Sequence, residues 1–377
     1  MPHESLGTMV SSLASAVLLT GYPSFLARRM AEQILAHEPN TQLYCVVRSK
    51  FLPWAQQTRL TLPASQRNRM VLLEGDAASM DMGLSGAEYR EVIEKVDKIL
   101  HFAQYRDVRA DPQWAHHTNV QGALEALEMA YAAPRLTHLV CMSSIDVLAC
   151  SGLARESDPP KSPPFRTFIQ ESLAHAERIY RRAAHRIPVT ILRPSTMIGD
   201  SNTGEIDRLD GPYPLFMLLV SSGRDTIPLP LRADHLLHFV PVDFVIRSAH
   251  IIANSPWSPG KTFHLVDPAP LSARRVFELV ARVAERRSSR GDVPSFVARA
   301  LVRSPGVESF ARSPRAFLDD FSPRARFDAT NTEAILQGTG VSCPPFESYV
   351  EAIVRYVQGR LHEQREGGVH PMHDPLL

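Results

Sequence analysis

A turn near the start of the chain carries residues that suit phosphate binding. Residues 16–20 form an apolar run typical of a strand, and residues 25–37 follow helical spacing. Where a strand turns into a helix in this way, backbone amides and the helix N-terminus can hold a pyrophosphate. Only Gly21 of the three usual fingerprint glycines is present, but Ser24 and Ala27, in the other two places, are also small. This predicts a dinucleotide site, with a plain strand-turn-helix as the alternative, and its predicted contacts are Gly21, Tyr22, Pro23, Ser24, Phe25 and Leu26.

Basic side chains beside this turn indicate which dinucleotide would bind. The second apolar run ends at Arg48 and Lys50, where an acidic residue would accept hydrogen bonds from the ribose hydroxyls of NAD. Arg48, helped by Arg28 and Lys50, suits a 2′-phosphate instead, so NADP(H) is the predicted cofactor and NAD(H) the alternative. Asp76, after the third apolar run, can accept a hydrogen bond from the adenine amino group. A solvated basic cluster and an ordinary turn aspartate are the simpler interpretations of these residues.

The elements that must position these residues alternate between two periods. Short apolar runs end near residues 20, 47, 73, 103, 142 and 193, and helical patterns separate several of them, which is typical of βαβ units and a parallel sheet. The sequence therefore predicts a doubly wound α/β Rossmann domain over residues 1–200, completed by strands within 236–270. A smaller, mainly helical C-terminal substrate lobe is predicted over residues 201–235 and 271–362, followed by a disordered tail at 363–377.

Composition excludes several classes of protein. The 377 residues include 41 Lys and Arg against 40 Asp and Glu, giving a net charge of +1, and 44% are hydrophobic. A highly basic nucleic-acid binder, a collagen and a disordered chain are therefore not expected. The apolar runs are too short to span a membrane, and no signal peptide is recognised, so a cytoplasmic location is expected. No metal site is predicted, and the widely spaced cysteines are expected to be reduced thiols, namely Cys45, Cys141, Cys150 and Cys343.

Short motifs follow one another in a characteristic order over residues 14–270: Thr20-Gly21, Gly75-Asp76, His101-Phe-Ala103, Asn119-Val-Gln-Gly122, Ser143-Ser144, Arg193-Pro194-Ser195 and Gly199-Asp200. This order resembles the extended short-chain dehydrogenase/reductases, particularly their male-sterility and thioester-reductase-like branch. The resemblance implies an NAD(P)-binding Rossmann domain, a C-terminal substrate lobe and a cleft between them. It also adds four expected cofactor contacts: Ala103, Asn119, Pro194 and Thr196.

The catalytic pair of that family is missing. The resemblance implies a Tyr-x-x-x-Lys pair on the helix after the fifth strand. Aligning that helix on Ala176-Glu177 puts Ile169 in the tyrosine position and Leu173 in the lysine position. A shifted alignment does not restore the pair, because no lysine of the sequence has a tyrosine four residues before it.

Several other groups could take part in the chemistry. Ser144 matches the family's catalytic Ser/Thr position, and Asp146 lies where the related sugar-nucleotide dehydratases carry an acidic residue. Asp146 could act as a general acid if burial raised its pKa, and an exposed loop aspartate is the alternative. Tyr105 and Asp107, after the fourth strand, are a second candidate pair, with packing as the alternative. Ser172 is the polar residue nearest the lost pair on its helix face.

The lost pair limits the reactions that the chain can catalyse. Reduction of an isolated carbonyl needs a proton donor, whereas a conjugated carbonyl gives a delocalised anion that hydrogen bonds alone can stabilise. The sequence thus predicts an atypical NADP(H)-dependent ketoreductase of secondary metabolism, acting on a quinone, a quinolone or an aromatic polyketide-like compound. Its partner would be a bulky apolar small molecule, bound by residues 211–219 and 310–321 unless these only form core. The alternatives are an isomerase or lyase that uses bound nicotinamide, and a non-catalytic binding protein. The resemblance also allows a homodimer.

Overall fold

The computed structural model describes residues 15–106, 111–148, 152–221, 235–285 and 325–365. The strands are β1 (Ser15–Thr20), β2 (Thr41–Val47), β3 (Met70–Glu74), β4 (Lys98–His101), β5 (His138–Met142), β6 (Leu153–Ala154), β7 (Val189–Pro194), β8 (Thr196–Ile198), β9 (Leu236–Leu237), β10 (Phe239–Pro241), β11 (Thr262–Leu265), β12 (Leu271–Ser272) and β13 (Arg326–Phe327). The helices are α1 (Phe25–His37), α2 (Leu52–Leu60), α3 (Ala64–Arg67), α4 (Gly86–Lys95), α5 (Pro112–His116), α6 (Gly122–Ala132), α7 (Phe168–Ala183), α8 (Tyr213–Ser221), α9 (Val242–Asn254), α10 (Ala273–Val283), α11 (Thr330–Leu336) and α12 (Phe346–Arg365).

A seven-stranded parallel sheet in the order β3-β2-β1-β4-β5-β7-β11 organises the chain. Strand β1 lies in the interior of the sheet, where Leu18 pairs with Tyr44 of β2 and with Ile99 of β4. Successive β1 residues point to opposite faces, so Leu18 enters one apolar core and Leu19 the other. Both faces are covered by helices, which explains why the strands are apolar throughout. The predicted doubly wound Rossmann fold is confirmed.

The helical lobe has an apolar core of its own, separate from the two cores on the faces of the sheet. Helices α8, α10 and α12 enclose it, and Phe216 packs edge-on against Phe239 and Phe277 with ring centroids 6.2 Å and 6.0 Å apart. Tyr349 of α12 closes the same cluster. These contacts agree with the predicted helical lobe.

The boundaries of the lobe differ from the prediction in two places. Strand β13 pairs with β6, and Leu336 of α11 packs into the Rossmann core beside Ile252, so residues 325–336 do not join the lobe. Apolar burial against α9 and β11 outweighs proximity in sequence. Helix α12 continues to Arg365, so residues 363–365 are helical, and the rest of the predicted tail lies outside the described residues.

Two segments of the sequence divide between elements. The helical pattern of residues 113–131 predicts one long helix, but it consists of α5 and α6 joined by a π-helical turn at His117–Gln121. Residues 239–245 form one apolar run in the sequence, but β10 ends at Pro241 and α9 begins at Val242.

Polar contacts fasten helix α1 to helix α9. Glu38, after α1, accepts hydrogen bonds from His250 (2.8 Å) and Asn254 (2.9 Å) of α9 and from Thr41 (2.9 Å). Burial alone would raise the pKa of Glu38, but these hydrogen bonds outweigh it and lower the pKa to about 2. The ionised form of Glu38 is therefore strongly favoured in the folded protein.

Two general findings concern the described part of the chain. None of its helices has both the length and the apolar character needed to cross a bilayer. Cys45 and Cys141 are buried free thiols and Cys343 is a half-buried one, while Cys150 lies outside the described residues.

Candidate cofactor and substrate site

The turn after β1 lies against the end of β4. Gly21 has a φ of +86°, and a Cβ added there would come within 2.9 Å of the Ala103 backbone nitrogen. Thr20 fixes this approach, because its Oγ1 accepts hydrogen bonds from the backbone amides of Phe102 and Ala103, both at 3.2 Å. Glycine is thus required at position 21 both by the backbone angle and by the lack of space.

Helix α1 directs its N-terminus toward this turn. Ser24 is the N-cap residue, but its hydroxyl makes no capping bond, and the first turn of α1 contains no acidic residue. The first amides of a helix have no partner within the helix, so they are available to an anion such as a pyrophosphate. The side chains of Tyr22 and Phe25 belong to the apolar core, which leaves the backbone to face the phosphate.

Two arginine–tryptophan contacts flank the expected adenosine end. The Arg28 guanidinium lies 5.5 Å from the Trp54 ring centroid, and its buried Nε has no hydrogen-bond partner. The Arg48 guanidinium lies 5.7 Å from the Trp114 ring centroid. These residues, with the Gly21 turn, fit a dinucleotide cofactor, whose phosphate oxygens would supply the acceptor that Arg28 Nε lacks. Lys50 is exposed and lies over the Phe51 ring, 4.7 Å from its centroid.

Asp76 forms an ion pair with Arg48 of this basic cluster. Its carboxylate lies 3.2 Å from Arg48 Nε and also accepts a hydrogen bond from the Ala78 amide at 3.1 Å. The Asp76 side chain is one-third exposed. Its hydrogen bond with the adenine amino group stays a prediction.

The end of β4 is held by buried polar groups. His101 Nδ1 lies 3.1 Å from Thr20 Oγ1, and burial lowers the pKa of His101 to about 4, so the imidazole is neutral near pH 7. Asn119 Oδ1 accepts from the Tyr105 amide (2.7 Å), while its Nδ2 donates to the Tyr105 carbonyl (3.0 Å) and to Ser172 Oγ (2.9 Å). Asn119 therefore fixes the backbone of the segment that carries Tyr105. Its direct contact with the cofactor stays a prediction.

Ser144 and Asp146 follow β5 and contact each other. Ser144 Oγ donates to Asp146 Oδ2 at 2.8 Å and accepts from the Asp146 amide at 3.2 Å. Ser144 is buried, whereas Asp146 is exposed. The burial on which the general-acid role of Asp146 depends is therefore not present.

The positions of the lost catalytic pair are filled by apolar packing. Ile169 and Leu173 of α7 are buried in one cluster with Tyr105 and Val147. Ser172 is also buried and donates to the Ile169 carbonyl at 3.0 Å. Positions 169, 172 and 173 of α7 therefore carry no ionisable side chain that could replace the missing tyrosine or lysine.

A buried ion pair joins the carboxyl ends of β5 and β7 to helix α7. Arg193 and Glu177 are fully buried, with Nη2 and Oε1 2.5 Å apart, and Glu177 Oε2 accepts from Ser143 Oγ at 2.7 Å. Burial raises the pKa of Glu177, but the hydrogen bond and charge of Arg193 outweigh it, so the pKa is lowered. This charged group fixes Ser143, the neighbour of Ser144.

The remaining predicted contacts lie at the same edge or beyond the described residues. Pro194 is buried at the end of β7, and Thr196 is exposed on β8. Asp107, and residues 310–321 of the predicted pocket, fall outside the described residues. The described part of the chain holds no group of three or more His, Cys, Asp or Glu side chains placed to bind a metal.

Sequence reasoning missed Gln104 and Arg106. Gln104 Nε2 donates to the Met142 carbonyl at 2.6 Å, and Arg106 Nη2 donates to the Ser143 carbonyl at 3.2 Å. The two side chains hold the segment after β4 across the end of β5. The sequence around Arg106 could not predict its contact with Ser143, because the two residues are 37 positions apart in the chain.

A family profile and solved structures both relate this chain to known proteins. Residues 19–249 match the sequence profile of an NAD-binding family described as male sterility protein. The terminal R domain of the myxalamid PKS-NRPS biosynthetic pathway is 25% identical, with a TM-score of 0.78 over 94% of this chain and 92% of that one. A nonribosomal peptide synthetase reductase domain from Mycobacterium tuberculosis is 18% identical with a TM-score of 0.73, and this likeness concerns the fold alone.

Curated relatives are much longer proteins. A linear gramicidin synthase of Brevibacillus parabrevis is 25% identical over 361 residues, which cover 90% of this chain and 7% of that protein. A non-canonical nonribosomal peptide synthetase of Aspergillus hancockii is 23% identical over 71% of this chain and 28% of its own length. An aldehyde reductase of Aspergillus flavus is 23% identical over 67% of this chain and 26% of its own length. The chain thus spans less than a third of these relatives.

Proposed function

This chain belongs to the NAD-binding family described as male sterility protein, and from this premise we propose that it is an NADP(H)-dependent reductase of secondary metabolism. The relatives support this proposal, because their names describe a peptide synthetase, an aldehyde reductase and the terminal R domain of a PKS-NRPS pathway. The preference for NADP(H) over NAD(H) rests on Arg28 and Arg48, which flank the position of a 2′-phosphate.

The observation that carries the proposal is the contrast between the two ends of the site. The nucleotide end keeps its tight turn at Gly21 and its free helix amides, whereas Ile169 and Leu173 are buried apolar side chains where the family uses a proton donor and its lysine. Bound NADPH would supply the reducing equivalents. Ser144 is buried after β5 and donates its hydroxyl hydrogen to Asp146 in this structure. On substrate binding this hydroxyl would turn from Asp146 and donate its hydrogen bond to the substrate oxygen.

This contrast restricts the class of substrate. A carbonyl conjugated with an aromatic or quinonoid system gives an anion of low basicity, which hydrogen bonds can stabilise without an immediate proton transfer. We therefore assign a bulky conjugated carbonyl to the site, such as a quinone, a quinolone or an aromatic polyketide-like compound. Phe216 and Tyr349 are fully buried in the core of the helical lobe, so the side chains of residues 211–219 mostly form core, which was the alternative to lining a ligand pocket.

Tyr105 and Asp146 are the remaining candidates for the proton source. Tyr105 is buried beside Ile169, close to the position of the missing tyrosine, and Asp146 accepts the Ser144 hydroxyl proton in a hydrogen bond. Tyr105 would donate its hydroxyl proton to the product directly, whereas Asp146 would position a water molecule that donates the proton.

Cofactor titration followed by a turnover assay tests the proposal. Nicotinamide fluorescence should report saturable NADPH binding that is tighter than NADH binding. Arg28→Ala and Arg48→Ala should each remove most of that difference. A panel of quinones, quinolones and aromatic polyketides should then support NADPH oxidation, and Ser144→Ala should slow it. Failure to bind either dinucleotide would refute the proposal.

The proton source is tested with two further variants. Full turnover in both Asp146→Asn and Tyr105→Phe would exclude these two residues and leave water as the proton source. A second candidate function, a non-catalytic dinucleotide-binding protein, is favoured by the buried Ile169 and Leu173. It predicts NADPH binding without turnover of any compound in the panel.

A further inference from the structure

A guanidinium lies beside Ser144 at the carboxyl edge of the sheet. Arg106 follows β4, and its Nη2 donates to the carbonyl of Ser143 at 3.2 Å, one residue before Ser144. Strands β4 and β5 are parallel neighbours, with His101 paired to Cys141, so both chain segments leave the sheet at the same edge. The cofactor turn at Gly21 meets this edge one strand away.

Arg106 is suited to bind an anion. A guanidinium carries five N–H donors and stays charged at neutral pH, and the bond to Ser143 uses only one donor. The side chain is half-buried, so part of it reaches the surface of the described structure. Burial lowers the pKa of Arg106, while the charges of Asp146 and Asp210 act in the opposite direction and Arg208 adds to the lowering.

We propose that Arg106, together with Ser144, binds the carbonyl oxygen of the substrate and stabilises the negative charge that develops on it. The proposal rests on the reductase function given above. Bound NADPH would supply a hydride, which would form a new C–H bond at the far carbon of the conjugated system, and NADP⁺ would remain. The electron pair of the broken C=C π bond would form a new double bond toward the carbonyl carbon, and the electron pair of the carbonyl π bond would move to the oxygen. The Ser144 hydroxyl and the Arg106 N–H groups hold the resulting anion until water donates a proton to it. Arg106 would thus supply by charge what the missing tyrosine supplies by proton transfer.

A spectroscopic measurement tests this role without turnover. The probe is 4-nitrophenol, whose phenolate absorbs at a different wavelength from the phenol and mimics the delocalised product anion. Wild-type protein should bind it and lower its apparent pKa. Arg106→Gln, which can still donate to the Ser143 carbonyl, should abolish the lowering, and Arg106→Lys should keep part of it. An equal pKa for 4-nitrophenol on the wild-type protein and on Arg106→Gln, or no binding to the wild-type protein, would overturn the proposal.

A matched control separates charge from support of the loop. Gln104→Ala removes the neighbouring bond to the end of β5 without removing a charge, and it should leave the 4-nitrophenol pKa lowered. Urea unfolding and NADPH titration of each variant show whether it is folded. If Gln104→Ala and Arg106→Gln abolish the lowering equally in folded protein, Arg106 only supports the loop.

Turnover gives a second, independent outcome. With a compound that the wild-type protein reduces, Arg106→Gln should lower kcat by about 10²–10³-fold at unchanged NADPH affinity, the loss typical of one oxyanion donor. Added guanidinium ion should restore part of the kcat of Arg106→Ala. If the wild-type protein binds NADPH but reduces nothing, the reductase function fails, while the 4-nitrophenol result still decides the role of Arg106. If Arg106→Gln keeps full kcat, the inference fails and the reductase function stands.

Discussion

Gly21→Ala separates two causes of glycine dependence at the cofactor turn. Gly21 and Gly260 both have a left-handed backbone, with φ of +86° and +81°. A Cβ at position 21 would lie 2.9 Å from the Ala103 nitrogen and 2.9 Å from the Phe102 carbonyl carbon, whereas a Cβ at position 260 would have no atom within 4 Å. Gly260→Ala therefore reports backbone strain alone, and Gly21→Ala reports strain together with steric overlap.

The expected destabilisation follows from these contacts. A left-handed backbone costs an L-residue about 1–2 kcal/mol, which is the expected loss for Gly260→Ala. Overlap with backbone atoms cannot be relieved by a side-chain rotation and adds about 1–3 kcal/mol, so Gly21→Ala should lose about 2–5 kcal/mol. The turn must also move away from Ala103, which should weaken NADPH binding about tenfold or more, equivalent to about 1.4 kcal/mol.

Urea unfolding of the wild-type protein and both variants gives the stability differences, and nicotinamide fluorescence gives the NADPH dissociation constants. Gly260→Ala should bind NADPH as the wild-type protein does. Equal losses of stability in the two variants, together with unchanged NADPH affinity in Gly21→Ala, would refute the reasoning. That result would mean that the turn does not press against β4 in solution.

Three other predictions concern the tryptophan beside Arg48 and the carboxylates of Glu177 and Glu38. Trp114→Ala should weaken NADPH binding several-fold because it removes the ring beside a guanidinium, while Trp257→Ala, at an exposed tryptophan elsewhere, should leave the dissociation constant unchanged in the same titration. Glu177→Gln should destabilise the fold by about 3–5 kcal/mol in urea unfolding, since it leaves the charge of Arg193 buried without its counter-charge; a loss below about 1 kcal/mol would contradict this. Ionised Glu38, with a folded pKa of about 2 and an ordinary value of 4.5, contributes stability above pH 4.5 that is lost as pH falls toward 2. The stability difference between the wild-type protein and Glu38→Gln, at most about 3 kcal/mol, should therefore shrink between pH 5 and pH 2, and a constant difference would contradict this.

Local sequence patterns carried the prediction of the sheet. All six predicted apolar runs end within two residues of the ends of β1, β2, β3, β4, β5 and β7, because these strands are buried on both faces and form continuous apolar runs. The same patterns mark the turn at Gly21 and the loss of the tyrosine and lysine at Ile169 and Leu173. These features depend on residues close together in the chain.

Boundaries that depend on distant contacts could not be predicted in this way. Residues 325–336 return to the Rossmann core because Leu336 joins the apolar cluster that contains Ile252, which lies 84 positions earlier in the chain, and no local period encodes this. The exposure of Asp146 likewise depends on how the loop after β5 is seated, which its sequence neighbours do not determine.

The sequence by itself determined that the chain forms a doubly wound sheet, that a dinucleotide turn follows its first strand, and that the usual proton donor is absent. The tertiary structure alone decided that Arg106 lies beside Ser144 and that tryptophans contact Arg28 and Arg48. The physical reason is that periodicity records which face of an element is buried. The direction of a polar side chain is set by partners that come from other parts of the chain.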